Sequence, residues 1–222
     1  RRIALLFDKK TKIIYNAHGW YFNADIGKKK IIFQIIEKIL AYKTDKIIAI
    51  SNSEYESALS KKICKSEKLV LINNGIDINR FEKNNEYRKS TRKKYNIKNN
   101  EVLVGIVGRI SKQKDPMASI KAAAKIIKKN INIHFMFVGN GDLENNIREY
   151  AKNEKIESNI IITGWVNDVE KYIPAFDIAL LPSKWEGFGL AILEYMACKK
   201  PIIATKVGGI VDILDDDNAF FI

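Results

Sequence analysis

The chain has 222 residues, of which 46% are hydrophobic and 29% are charged, a balance typical of one or two globular domains with a sizeable core. This composition excludes a disordered tail, a coiled coil and a fibrous repeat, and no apolar run approaches the roughly 18 residues of a membrane-spanning helix. The two cysteines, Cys64 and Cys198, lie far apart, which argues against a disulfide scaffold or a zinc site and fits a reducing cytosol. The chain opens with Arg1 and stops at Ile222 in an apolar stretch, so both ends are expected to be cut.

The formal charge of +12 is unevenly distributed. Residues 1–100 carry 23 Lys and Arg against 10 Asp and Glu, whereas residues 101–222 carry 15 against 16. Two interpretations stay open: solvated lysines that reflect a composition bias, or a basic face for an anionic partner.

Residues 1–82 predict a first parallel-sheet domain. Short apolar runs predict strands at Lys12–Asn16, Lys46–Ile50 and Leu69–Ile72, and a helix is predicted at Ile31–Tyr42. With three strands, this domain is expected to be incomplete. Residues 83–100 are rich in Lys, Arg and Asn and predict a surface helix with a linker.

Residues 101–222 alternate β-branched runs with helical patterns, which predicts a parallel sheet with helices on both faces. Ligands of such sheets bind just after the strands. The predicted strands are Val102–Val107, Ile133–Val138, Ile160–Thr163, Ile178–Leu181 and Pro201–Thr205. The predicted helices are Pro116–Lys129, Leu143–Asn153, Asp168–Pro174 and Leu190–Cys198.

The segment after Leu181 contains a candidate ligand site. Glu186, Gly187 and Gly189 lie between a predicted strand and a predicted helix, and Glu194 lies about a turn into that helix. Glycines let backbone approach a ligand, and the free amides at a helix start favour an anion such as phosphate. Carboxylates accept hydrogen bonds from ribose or sugar hydroxyls. The pattern favours ligand binding by Glu186 and Glu194. The alternative is that one is an ordinary helix-start glutamate and the other a solvated surface residue.

Basic residues follow the first strand of the second series. Arg109 and Lys114 are suited to neutralise a diphosphate, although taken alone the segment better fits an ordinary basic loop before a helix. Gly139–Asp142 follows the next strand and by itself predicts a tight turn. The backbone of Thr163–Asp168, after the third strand, is suited to contact a flat base.

Together these segments resemble the family-4, or group 1, retaining glycosyltransferases of the GT-B fold. The shared signature is a pair of glutamates with seven residues between them, Glu186 and Glu194 in E-G-F-G-L-A-I-L-E. G-R-I-S-K-Q-K, V-G-N-G-D-L, G-W-V-N-D and K-P-I-I-A-T-K-V-G-G-I accompany it in order, after A-H-G-W, I-A-I-S-N-S and N-N-G-I-D. The resemblance implies an α/β protein with two Rossmann-like parallel-sheet domains. Residues 1–82 would be the C-terminal part of the N-terminal, acceptor-side domain, and residues 101–222 the nucleotide-sugar-binding domain.

The resemblance also implies roles for single residues. The diphosphate would lie at the two basic side chains, ribose at the second glutamate, the base beside the tryptophan–valine pair, and the transferred sugar at the glycine-containing loop. The residues expected to bind the donor are Arg109, Lys114, Trp165, Val166, Gly187, Phe188, Gly189, Leu190 and Glu194. Catalytic roles fall to Glu186 and to His18, which would face the donor sugar across an interdomain cleft. Without the resemblance, His18 fits a structural residue at a strand end.

The chain departs from the family pattern at several points. Asp115 replaces the usual glycine after the lysine of the phosphate loop, and Gly-Gly-Ile-Val-Asp212 replaces Gly-Gly-x-Pro-Glu. The glycine-rich loop near the start of the first domain and the closing C-terminal helix have no counterpart in the sequence. A chain without them is expected to keep donor binding and to lack catalysis.

The implied activity is transfer of a sugar from a nucleotide-diphospho-sugar to a sugar or lipid-linked acceptor with retention of anomeric configuration, as in a retaining hexosyltransferase. Synthesis of a surface polysaccharide or glycolipid is the implied process, and a front-face displacement is the expected mechanism. Two alternatives stay open: a non-catalytic sugar-nucleotide-binding module, and a phosphorylase or epimerase of the same fold.

No cofactor or metal is expected, and a UDP-sugar is the expected donor. Asp215–Asp217 matches DxD, but its place after two apolar residues favours a surface acidic turn. Nucleic acid is not an expected partner, because basic and aromatic residues do not interleave. The Lys28–Lys30 run before an apolar-rich helix is compatible with peripheral contact to an anionic membrane or with a helix whose apolar face lies in the core. The expected location is the cytoplasm, including the inner face of the cell membrane.

Overall fold

The computed structural model describes residues 11–82, 84–129 and 132–222, which form two compact units. The first unit contains the described residues up to Gly75 together with Trp185–Gly189 and Val207–Ile213. The second contains the described residues of Ile76–Lys184, Leu190–Lys206 and Leu214–Ile222. The first ten residues of the predicted domain 1–82, and residue 83 of the predicted linker, lie outside the described residues.

The first unit is built on a three-stranded parallel sheet. Its strands are β1 (Ile14–Ala17), β2 (Lys46–Ala49) and β3 (Leu69–Leu71), in spatial order β1-β2-β3. Helix α1 (Lys29–Tyr42) follows β1, and α2 (Asn52–Ser60) follows β2. The core is formed by small, aliphatic and aromatic side chains, among them Ala17, Trp20, Ile47, Ala49 and Ala58.

Helix α2 was not predicted from the sequence, because its polar residues give little apolar periodicity. Its start is fixed locally: the side chain of Ser51 accepts a hydrogen bond from the backbone N–H of Glu54, three residues on. Such an N-cap satisfies one of the free amides of the first turn and contributes about 1 kcal/mol.

The second unit contains a six-stranded parallel sheet in the order β6-β5-β4-β7-β8-β9. The strands are β4 (Val102–Val107), β5 (Ile133–Val138), β6 (Ile160–Ile162), β7 (Ile178–Leu181), β8 (Ile202–Ala204) and β9 (Phe220–Phe221). The helices are α3 (Asn84–Lys94), α4 (Pro116–Ile127), α5 (Glu144–Glu154) and α6 (Leu190–Ala197). Strand order reverses between β4 and β7, and crevices at such a point bind ligands in open α/β sheets.

The predicted α/β class with parallel sheets in two Rossmann-like units is confirmed, and β4, β5 and β7 have the predicted bounds. The prediction of a helix at Asp168–Pro174 is wrong. That segment forms two short 3-10 turns, Val169–Lys171 and Ile173–Ala175. Pro174 lacks the N–H that a continuing helix needs, which accounts for the break.

Helix α3 is more than the predicted surface helix. Arg92 is 3% exposed, and its guanidinium donates to Asp177 Oδ2 at 3.0 Å and to the carbonyl of Ala175 at 3.0 Å. Arg88 donates to Asp177 Oδ1 at 2.6 Å. Asp177 Oδ2 also accepts from the backbone N–H of Leu103, so the same carboxylate joins α3 to the starts of β4 and β7.

Candidate functional site

A cavity of about 170 Å³ opens where β4, β5 and β6 end in the second unit. Residues from the three following loops line it, and three of them were predicted to bind a donor: Arg109, Trp165 and Val166. Trp165 is 73% exposed, and its indole N–H donates to Asn167 Oδ1 at 3.1 Å, which orients the ring. The cavity therefore pairs a flat aromatic surface with a guanidinium.

The backbone forms one wall of this cavity because two loops touch there. Gly139, directly after β5, has φ of 142°, and a Cβ at this position would lie 2.1 Å from the carbonyl oxygen of Gly108. No side chain is compatible with that approach. The sequence predicted a tight turn at Gly139–Asp142, but nothing in it indicated that Asn140 would line the cavity.

Lys114 lies beside the same loop. With Gly108 and Arg109 it lines a smaller cleft, and its Cε would lie 3.1 Å from a Cβ placed on Gly108. Arg109 and Lys114, predicted as a pair, are therefore neighbours in the second unit. Two cations that line one cleft suit a diphosphate.

The backbone conformation at Asp115 is one that glycine, the family's usual residue at this position, also adopts. It adopts the left-handed conformation, with φ of 43° and ψ of 56°, which glycine reaches without strain and aspartate tolerates better than most residues. Its carboxylate accepts from Ala118 N at 3.3 Å, which caps α4, and lies 3.3 Å from the ammonium of Lys184. The turn after Lys114 thus keeps the backbone geometry that a glycine would give.

Glu194 lies half-buried on α6. Burial is the main cause that raises the pKa of its carboxyl to about 7. The charges of Arg80 and Lys114 act to lower the pKa, and the charge of Glu170 acts to raise it. Arg80 donates to Glu170 at 2.7 Å. Sequence reasoning did not find Arg80 or Glu170, because nothing in the sequence links two residues 90 positions apart.

Tyr195, next to Glu194, connects α6 to the end of β4. Its side chain is fully buried, and its hydroxyl accepts from the backbone N–H of Val107 at 2.8 Å. Val107 is the last residue of β4 before the Gly108–Arg109 loop. The residue was not singled out from the sequence, since a tyrosine in an apolar helix carries no specific signal.

The remaining predicted residues, apart from Leu190, belong to the first unit. His18 follows β1 and is exposed. The turn at Trp20, just after it, is held by the buried carboxylate of Glu54. Glu54 Oε2 accepts from Trp20 N at 2.6 Å, and the indole of Trp20 donates to the Glu54 carbonyl at 2.8 Å. Burial raises the pKa of Glu54, against the hydrogen bonds from Trp20 and Asn23.

The segment that carries Glu186 lies against the turn after His18. A Cβ on Gly187 would lie 3.0 Å from Gly19 Cα, and Ser51 donates to the Gly187 carbonyl at 2.7 Å. Glu186 is 8% exposed, and its carbonyl accepts from Gly209 N at 3.1 Å. The two residues predicted to be catalytic therefore lie on adjoining segments of one unit.

The rest of the Glu186–Leu190 loop is divided between the two units. Phe188 and Gly189 are buried in the first unit, and Leu190 begins α6 in the second unit, where it is exposed and does not line the cavity. Asp212 accepts from the backbone N–H of Ser53 at 3.0 Å, so it stabilises the start of α2.

The Asp215–Asp217 match forms a turn, as predicted. Asp215 Oδ1 accepts from the backbone N–H groups of Asp217 and Asn218, each at 3.1 Å. Within residues 11–82, 84–129 and 132–222, no three His, Cys, Asp or Glu side chains converge as metal ligands. Across the same ranges, no helix is both long and apolar enough to cross a bilayer.

Two family models match the chain. The model of glycosyl transferases group 1 matches residues 87–222, more than half of the chain, and that of glycosyltransferase family 4 matches residues 2–80.

Curated relatives and a solved structure are similar along nearly the whole chain. UDP-Gal:alpha-D-GlcNAc-diphosphoundecaprenol alpha-1,3-galactosyltransferase of Escherichia coli is 29% identical over 94% of this chain and 55% of its own length. The capsular polysaccharide biosynthesis glycosyltransferase CapM of Staphylococcus aureus is 27% identical over 99% of this chain and 59% of its own. The crystal structure of Anabaena HepE in complex with UDP and glucose superposes with a TM-score of 0.82, at 21% identity, over 95% of this chain and 57% of its own.

The chain thus spans little more than half the length of these relatives. The family model covers β4 to β9, including the basic loop, the tryptophan turn and the glutamate pair whose geometry is described above. On this evidence the chain belongs to the group 1 glycosyltransferases.

Proposed function

We propose that the protein transfers a sugar from a UDP-sugar to a sugar or lipid-linked acceptor, with retention of anomeric configuration, on the cytoplasmic side of the membrane during synthesis of a surface polysaccharide or glycolipid. The observation that carries the proposal is the cavity at the ends of β4, β5 and β6, where Arg109 adjoins Trp165. The fold alone would not support it, since one fold hosts many functions.

In this proposal the second unit binds the nucleotide. The uracil lies on Trp165 and Val166, the ribose hydroxyls donate to Glu194, and the diphosphate lies at Arg109 and Lys114. Aromatic stacking and charge-assisted hydrogen bonds are the interactions that such a ligand uses. His18 and Glu186 are assigned to the transferred sugar, with Gly187–Leu190 supplying backbone amides.

The chemistry is a front-face displacement. The bond from the anomeric carbon to the diphosphate oxygen breaks while the acceptor oxygen bonds to the same face of that carbon, and the acceptor proton passes to the departing phosphate oxygen. No metal or cofactor takes part. Arg109 and Lys114 stabilise the charge that grows on the leaving group, a contribution of about 3 kcal/mol for one such donor.

The names of relatives support the choice of substrates. The E. coli relative is named for a UDP-galactose donor and an acceptor linked to diphosphoundecaprenol, and the Anabaena crystal structure contains UDP with glucose. The Staphylococcus relative is named for capsular polysaccharide synthesis. These names favour a uridine donor and a lipid-linked acceptor for this chain.

The first test is a thermal-shift panel with UDP, GDP, ADP and CMP. A ligand at a hundred times its dissociation constant adds about 2.7 kcal/mol of stability, so UDP is expected to raise the Tm and the other nucleotides are not. In the full-length enzyme Lys114→Ala is expected to lower turnover of a UDP-sugar at least tenfold. Lys112→Ala, an exposed lysine on the same turn, is the matched control.

The outcomes separate the alternatives. Unchanged turnover in Lys114→Ala would remove that residue from the site. UDP binding without turnover in the full-length protein would favour a binding module, and an equal response to all four nucleotides would contradict the uridine site.

A further inference from the structure

An ion pair of the second unit joins the turn before α3 to one wall of the cavity at the ends of β4, β5 and β6. Arg80 lies on the 3-10 turn Ile78–Phe81, and its Nη2 donates to Glu170 Oε2 at 2.7 Å. Glu170 lies on the turn Val169–Lys171, whose first residue lines the cavity. The ion pair therefore holds two segments together that are far apart in the sequence.

The same ion pair lies beside α6. The turn Ile78–Phe81 packs against α6, the helix that carries Glu194. Phe81 is buried and fixes the turn, whereas the side chain of Arg80 is 49% exposed. The guanidinium is thus held by Glu170 on a fixed turn and still reaches solvent beside α6.

The charges around Glu194 give this arrangement a role. Burial is the main cause of its raised pKa; among the described residues, the charges of Arg80 and Lys114 act to lower the pKa, and that of Glu170 acts to raise it. Arg80 has the largest effect of the three. Cys198, one turn further along α6, is a neutral thiol because burial raises its pKa to about 12. Strand β7, which also packs against α6, carries no titratable side chain.

Stability alone does not account for the ion pair, since exposed ion pairs contribute little to folding. Helix α5 offers a comparison: Arg148 and Glu144 also lie 2.7 Å apart, and Arg148 is similarly exposed. Neither of these two residues is among the charges that act on Glu194. The Arg80–Glu170 pair differs from the α5 pair in its place between the cavity wall and α6.

We propose that Arg80 is a positioning residue of the nucleotide site: held by Glu170, its guanidinium supplies the positive charge that keeps the Glu194 carboxylate ready to accept hydrogen bonds from the ribose of a donor. The ligand in this inference rests on the proposed function, whereas the effect of Arg80 on Glu194 needs no ligand. Without Arg80, burial and the negative charge of Glu170 both favour the protonated carboxyl. A protonated carboxyl has less capacity to accept hydrogen bonds.

The ionisation of Glu194 is measurable in the full-length protein without a donor, by carbon-13 NMR of the glutamate carboxyls. Glu194→Gln assigns the signal. Arg80→Ala is expected to raise the pH midpoint of that signal by about one pH unit, the lower end of the effect of one nearby charge, because Arg80 is half exposed. Glu170→Gln is expected to lower the midpoint, and Arg80→Lys to leave it near that of wild type. An unmoved midpoint in Arg80→Ala would overturn the inference.

Calorimetric titration with UDP-glucose measures the consequence for binding. At pH 7, Arg80→Ala is expected to bind about fivefold more weakly than wild type, because a rise of one pH unit lowers the ionised fraction from about a half to about a tenth. At pH 9 the carboxyl is mostly ionised in both proteins, and their affinities are expected to converge. A loss of equal size at both pH values would mean that Arg80 contacts the donor or supports the fold, and would overturn the inference.

The ion pair of α5 supplies the matched controls. Arg148→Ala and Glu144→Gln are expected to leave both the carboxyl midpoint and the affinity unchanged. A shift in these variants as large as in Arg80→Ala would overturn the inference. If wild type bound no UDP-glucose while the midpoint still moved in Arg80→Ala, the proposed function would fail and the action of Arg80 on Glu194 would stand.

Discussion

Asp177 and Glu194 are two partly buried carboxylates of the second unit whose pKa values are shifted in opposite directions. For Asp177, burial acts to raise the pKa, but hydrogen bonds from Leu103 N, Arg88 and Arg92 outweigh it and lower the pKa. For Glu194, burial dominates and raises the pKa to about 7. Asp177 has its partners inside the chain and joins α3 to the sheet, while Glu194 is suited to take its partners from a ligand.

Breaking the Asp177 cluster gives the largest expected effect on stability. Arg92→Ala leaves a carboxylate without its buried partner, which costs about 3–5 kcal/mol. Urea unfolding measures this, with Arg88→Ala as the comparison, because Arg88 is 34% exposed and its loss is expected to cost less. A loss below about 1 kcal/mol for Arg92→Ala would contradict the role given to the cluster.

Glu194 is expected to matter for binding rather than for folding. Under the proposed function, Glu194→Gln removes the charged acceptor for ribose hydroxyls, and hydrogen bonds to charged groups contribute about 1.5–3 kcal/mol, or roughly ten- to a hundredfold in affinity. Calorimetric titration with UDP-glucose at pH 8 measures this. Glu149→Gln, an exposed glutamate on α5, is the control and should leave affinity unchanged.

The pH dependence of stability separates the two carboxylates in one experiment. A carboxyl with a raised native pKa holds its proton more tightly when folded, so its contribution falls as pH rises from about 4.5 to about 7. Wild type is expected to lose about 2 kcal/mol over that range relative to Glu194→Gln. Asp177 acts in the opposite sense, because its lowered pKa makes stability fall as the pH drops below its ordinary value of 3.8.

Parallel curves for wild type and Glu194→Gln between pH 5 and pH 8 would mean that Glu194 is not the group that titrates near neutrality. UDP-glucose affinity should rise over the same interval in wild type, since the ionised carboxylate is the better acceptor, and should stay flat in Glu194→Gln. A diphosphate diester is chosen because it carries no proton that titrates there.

A third carboxylate gives the smallest expected effect. Asp115→Gly removes the side-chain cap of α4, which costs a few tenths of a kcal/mol when glycine is the replacement, and relieves a left-handed backbone, which gains about 1 kcal/mol. The net change in unfolding free energy is expected to stay within about 1 kcal/mol, as checked by thermal and urea unfolding. Asp115→Val, which keeps neither the cap nor a tolerated backbone, should be clearly destabilised.

The sequence predicted the sheet of the second unit well because buried parallel strands are near-continuous hydrophobic runs, as in β4 and β5. Arg109 and Lys114 could be paired because both follow one strand. The role of Arg92 could not be predicted, because its partner Asp177 lies 85 positions away and α3 has no apolar stripe.

The hydrogen bond from Val107 N to Tyr195 Oη ties α6 to the end of β4. A nucleotide that contacts both Arg109 and Glu194 then meets groups whose spacing is already set, and little conformational entropy is lost when it binds. Tyr195→Phe would keep the ring against Phe176, at the present centroid separation of 6.5 Å, and would remove the hydrogen bond to the end of β4. The affinity lost in such a protein would be entropic in origin, a cost of disorder in the free state rather than of any missing contact to the ligand.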